Sequence, residues 1–156
     1  MHVLLMLAML LLAVAIIHHL FGRGSPAVQA QGSWGAGAAN EDPRVALAAM
    51  MVCIVTEDGR MSPQKEQEII ALLTSTVGID PGIAADCLKA GRRLARLDGD
   101  LTSRLHQLKD PIARKCSREE KEGVVEALRK IGGTRSDQIG SVRDGIGRLA
   151  ATLLHG

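Results

Sequence analysis

The sequence predicts an all-α chain, a bundle of about six helices preceded by one N-terminal transmembrane helix. Three observations carry this. Residues 3–17 contain no polar side chain, as a segment buried in lipid requires. From Pro43 onward, apolar residues recur at steps of three and four, the period of a helix face. Beyond Trp34 the chain holds no Phe, Trp or Tyr. Strands favour aromatic and β-branched side chains, so a core of Leu, Ile, Val, Ala, Met and Cys speaks for helices.

The first element is the anchor, residues 3–21. Val3 to Phe21 is interrupted only by His18 and His19. As a helix it reaches about 28 Å, close to the hydrocarbon thickness of a bilayer. A helix apolar on every face cannot hide in a domain of this size. The rival reading is a cleaved signal peptide. Val28-Gln29-Ala30 suits signal peptidase, and cleavage after Ala30 gives a secreted or periplasmic helical protein that begins at Gln31. Two features favour the anchor. No Lys or Arg precedes the apolar run, and the run exceeds the roughly 7–15 residues of a signal core. Arg23 is the only charged side chain before Glu41, and it follows the span. The positive-inside rule then predicts a single-pass protein of the inner or plasma membrane, its C-terminal domain in the cytoplasm.

Residues 22–42 read as a flexible linker. Gly22 to Asn40 holds five Gly and five Ala, too little apolar bulk to bury a core. A Gly-rich coil of this length spans roughly 22–26 Å.

The helical domain, residues 43–156, follows. Asp42-Pro43 places an N-cap before a first helical residue. The helix that it opens is apolar nearly all round, with Val45, Leu47 and Met50 to Val55, and belongs at the centre of the core. Ser62-Pro63 and Asp80-Pro81 open the second and third helices in the same way. Their predicted faces are Ile69, Ile70, Leu73 and Val77, then Ile83, Cys87, Ala90 and Leu94. Leu101, Leu105, Leu108 and Ile112 mark a short fourth helix with Pro111 near its end. Ser117 to Glu120 has the spacing of a capping box before Val124, Val125, Leu128 and Ile131. Ser136 is expected to cap the last helix, whose face is Ile139, Val142, Ile146, Leu149 and Leu153. Gly140, Gly145 and Gly147 lie within it, where close helix approach would offset their low helix propensity.

Composition narrows the function classes. From residue 41 onward 18 basic and 17 acidic groups nearly balance, which excludes the basic surplus of a nucleic-acid binder. The lack of aromatic platforms points the same way. Cys53, Cys87 and Cys116 are odd in number and widely spaced, so they read as small apolar residues rather than a disulfide framework or zinc site. No P-loop, G-x-G-x-x-G, G-x-S-x-G or HExxH occurs, and the chain reads as no enzyme. His106 reads as a surface or boundary residue. Lys89, Arg92, Arg93 and Arg96 share one side of a helix and read as a solvated face.

The most informative stretch is Thr56 to Glu66, TEDGRMSPQKE. Asp58-Gly59 makes a tight turn, and Glu66 lies one turn into the next helix, able to face back. Carboxylates gathered in this way suit a hard cation such as calcium or magnesium, bound through oxygen. The candidate metal ligands are Asp58, Glu66 and nearby Glu57. The plain alternative is a turn followed by a helix-favouring acid. An EF-hand is excluded: with Gly59 as sixth loop residue, the twelfth would be Lys65. A metal-dependent enzyme built on Asp58 and Glu66 is the third functional reading, after the anchored and the secreted ones.

An Ala/Met-rich apolar helix, then DG-x-x-S-x-x-x-E, then an amphipathic helix resembles the TerB-like family, which includes tellurite-resistance proteins and the N-terminal domain of the DjlA co-chaperones. The resemblance is best over Val45 to Ile79 and extends to about Leu154. It implies an all-helical fold, an intracellular location and an acidic metal site. The leading functional expectation is a membrane-anchored module that binds a protein partner, an adaptor in a stress or metal-related response. A second DG-x-x-S-x-x-x-E element is expected late in the domain. Aligning Ser62 with Ser136 puts Gly132 where Asp58 stands and Gly140 where Glu66 stands, so both acids are missing. A half-site binds weakly, because ligand number and charge set affinity. The His-Pro-Asp of a J-domain is also absent, so co-chaperone activity does not carry over.

Overall fold

The computed structural model describes residues 40–57, 59–133 and 139–155. The chain divides between Ser33 and Trp34 into two units, and all described residues lie in the second. The expected anchor and nearly all of the expected linker fall outside the described residues. No described helix is long and apolar enough to cross a membrane.

Seven helices and no strand occur among the described residues. They are α1 (Pro43–Val55), α2 (Pro63–Ser75), α3 (Pro81–Leu94), α4 (Leu101–Leu108), α5 (Asp110–Lys115), α6 (Arg118–Gly133) and α7 (Ile139–His155). The all-α prediction holds. The predicted fourth helix is in fact two, α4 and α5, and Pro111 is the reason. Without an N–H it cannot continue the ladder to Gln107, so the chain restarts at Asp110. Lys109 stays helical in its dihedrals and bonds back three residues to the His106 carbonyl.

Prolines and caps set the helix starts. The Asp42 carboxylate accepts the Arg44 N–H, the Ser62 hydroxyl accepts from Lys65, and Asp80 accepts from Gly82 and Ile83. Each cap precedes a proline at the first helical position, where the missing N–H costs nothing. Asp100 caps α4 by accepting the Ser103 N–H. Ser117 and Glu120 exchange backbone bonds as a capping box, at 3.2 and 2.7 Å.

Helix α1 is the centre of the domain. All eleven residues from Val45 to Val55 are buried. It packs most extensively on α3 and touches α2, α4, α5 and α6 as well. Helix α7 lies against α4 and α6. A helix enclosed on every side needs no amphipathic stripe, and its apolar sequence follows.

The inward face of α3 is rotated from the predicted one. Ala84, Cys87, Leu88 and Gly91 are buried, whereas Ile83, Ala90 and Leu94 are only partly covered. The cause is Gly91. A Cβ there would lie 2.7 Å from the Ala49 nitrogen and 3.0 Å from the Ala48 Cβ. The two helices cross backbone to backbone at Gly91, and small residues Ala48 and Ala49 permit it. In α2 only Ile69 and Leu73 are fully buried. The predicted faces of α4 and α6 are buried throughout, and so are Val142, Ile146, Leu149 and Leu153 of α7. Ser136 lies outside the described residues. Of the three α7 glycines only Gly145 makes a close approach, with Thr102 and Leu105; Gly140 and Gly147 meet nothing.

Cys53 and Cys87 are buried and Cys116 is partly buried, all as free thiols. Burial, aided by the Asp42 carboxylate, pushes the Cys87 thiol up to about 11. It is protonated at neutral pH and packs as an apolar group.

Candidate functional site

The connection between α1 and α2 carries the predicted site. Thr56 caps the C-terminus of α1, and its hydroxyl donates to the Val52 carbonyl at 2.7 Å. Gly59 adopts φ +141°, a conformation that side chains rarely take, and its N–H returns to the Thr56 carbonyl. Ser62 and Pro63 then start α2, which puts Lys65 and Glu66 in its first turn. Reversal of the chain thus brings the end of α1 beside the start of α2.

Asp58, the first predicted metal ligand, lies outside the described residues. The other two, Glu57 and Glu66, are each engaged by an arginine. Glu57 pairs with Arg104 of α4, and Glu66 pairs with Arg92 of α3. The first pair is the more enclosed: side chains are 17% and 26% exposed for Arg104 and Glu57, against 40% and 36% for Arg92 and Glu66. Lys65 lies between these acids in sequence. Its ammonium donates to the Val55 carbonyl at 2.8 Å and the Arg60 carbonyl at 3.2 Å.

This donor set does not fit a divalent cation among the described residues. Calcium needs six to eight oxygens, about half of them commonly anionic. Here both described carboxylates already hold a guanidinium, and two carbonyls that face the turn hold an ammonium. Three cationic side chains meet two carboxylates, so the group is already net positive. No group of three His, Cys, Asp or Glu suited to a metal occurs among the described residues.

The partners of these acids are distant in sequence. Arg104 is 47 residues from Glu57, and Arg92 is 26 from Glu66. Only the packing of α4 and α3 around α1 brings them together. Arg92 therefore leaves the predicted solvated basic face, while Lys89, Arg93 and Arg96 remain exposed on it. Lys89 and Arg93 border a shallow cavity of about 240 Å³ beside Val45 and Cys87. A second hollow, about 550 Å³, lies between α4 and α7, bordered by Thr102, His106, Arg148 and Thr152. His106 is exposed, as expected, with Nε2 2.9 Å from the Lys109 ammonium.

An apolar helix packed against five others, with a turn at Gly59 leading into the second, defines a helical module of one class. The family model described as tellurite resistance protein TerB matches residues 44–137, more than half of the chain. The chain belongs to the TerB family. The match runs from the start of α1 past the end of α6, and α7 lies beyond it. No curated protein matches the chain, and no solved structure does.

Proposed function

We propose that this chain is a membrane-anchored TerB-family adaptor that works by binding a partner protein rather than by turning over a substrate. The observation that carries the reading is the uncharged run Val3–Phe21 ahead of a TerB helical domain. A stretch of that length and polarity is stable in lipid and costly in water. Arg23, directly after the run, favours a cytoplasmic domain. Residues 22–42 are long enough to let the domain reach partners near the membrane without being pressed on it. The binding role draws support from the site itself. Its described acids are tied to arginines on neighbouring helices, an arrangement that fixes a surface.

The Val28-Gln29-Ala30 tripeptide favours one competing reading, release of the domain by cleavage after Ala30. Membrane fractionation with protease accessibility of a C-terminal tag separates the two. The anchored reading expects the tag in the carbonate-washed membrane pellet, protected from protease added outside. A soluble product with Gln31 as first residue, or a tag digested from outside, contradicts it.

A further inference from the structure

We propose that Lys65 is the resident cation of the α1–α2 turn, so that the turn is closed by the chain's own ammonium and has no need of a metal ion. A carbonyl oxygen at the end of a helix carries part of the negative pole of the helix dipole and lacks an intrahelical donor. Val55 ends α1, and the Lys65 ammonium bonds its carbonyl at 2.8 Å. The same ammonium bonds the Arg60 carbonyl at 3.2 Å, on the far side of Gly59. One cation therefore joins the two ends of the turn. A calcium loop is closed in the same way, by a cation that collects backbone and side-chain oxygens from both ends.

Placement of Lys65 is fixed by its own helix. Its N–H is the donor that the Ser62 hydroxyl caps, at 3.3 Å, which sets α2 in register with the turn. Glu66, the next residue, turns to Arg92, and Glu57, just past the end of α1, turns to Arg104. Each described oxygen group that a metal would recruit has a positive partner belonging to the protein. A divalent ion entering the turn would have to displace Lys65 and lie close to two guanidinium groups. Like charges at such range repel strongly where solvent is partly excluded.

Thermal unfolding of the full chain in detergent micelles, followed by far-ultraviolet circular dichroism, tests the inference. Wild type is expected to melt at one temperature in EDTA, in millimolar calcium chloride and in millimolar magnesium chloride. Lys65→Met, which keeps the aliphatic stem and loses the charge, is expected to melt about 3–8 °C lower. A rise of wild type with either ion, a fall in EDTA, or a Lys65→Met protein that melts with wild type would each overturn it. Should Lys65→Met fail to fold, Lys65→Gln replaces it, with amide exchange as readout. Exchange at Glu57 and Gly59 is then expected to quicken about tenfold while central α1 is unmoved. Unchanged exchange at those two amides, or a uniform change across the domain, contradicts the inference. Neither membrane nor partner enters the assay, so its failure leaves the adaptor reading standing and is distinguishable from failure of that reading.

Discussion

The α1–α3 crossing, midway along the buried helix α1, and the α1–α2 turn, at its C-terminal end, are held by opposite means. At the crossing, Gly91 meets Ala48 and Ala49 with no polar side chain between them. The turn is held by Lys65 on two carbonyls and flanked by the Glu57–Arg104 and Glu66–Arg92 pairs. Shape fixes the first and charge fixes the second. Salt should therefore act on the turn and spare the crossing, whereas added volume should do the reverse.

The largest effect is expected at the crossing. Gly91→Ala adds one methyl where backbone stands in the way, and should destabilise the domain by about 1–3 kcal/mol in urea unfolding. At an open helix position the same change would stabilise, so a gain at Gly91 would break the claim of backbone contact. Next comes the enclosed ion pair. Glu57→Gln leaves Arg104 without its counter-ion where little solvent reaches it, for a loss of about 1–2 kcal/mol. Glu66→Gln, at the more exposed pair, should cost less than about 1 kcal/mol, and molar salt should largely erase that difference. Equal costs would mean that exposure does not separate the two pairs.

Asp42, the N-cap of α1, responds to pH. Burial raises its pKa, but bonds from the Arg44 guanidinium and from the Arg44 and Val45 N–H groups outweigh burial and hold it below 3.8. A lowered folded pKa means that the cap's contribution is complete above pH 3.8 and is lost as pH falls through the folded value. Asp42→Ala should cost about 0.5–2 kcal/mol at neutral pH and flatten the acid limb of the stability curve. An unchanged acid limb would assign that limb to other carboxylates. The smallest effect is a gain. Gly147 faces open space in α7, so Gly147→Ala should stabilise by up to about 1 kcal/mol.

Much of the fold was legible because proline and a capping side chain act locally. Asp42-Pro43, Ser62-Pro63 and Asp80-Pro81 announce helix starts within four residues, and each stands where it was read. Burial of α1 was legible too, since a segment apolar on all sides has few other places to go. Three features were not. The sequence places Pro111 near the end of one helix, whereas the ladder breaks and restarts around it. The inward face of α3 follows a glycine contact, which periodicity does not weigh. The cations of the candidate site come from α3 and α4, and no local pattern foretells which arginine a distant glutamate will meet. The one local clue was Lys65, visible as a cation where an EF-hand needs an acid.

Native-state hydrogen exchange of the full chain at low and at molar salt measures the difference between the two regions directly. Amides of the turn, Glu57 and Gly59, are expected to exchange faster in high salt, while those of α1 from Ala49 to Cys53 keep their rates. If both sets quicken together, or if the turn is indifferent to salt, then charge does not hold the turn as described.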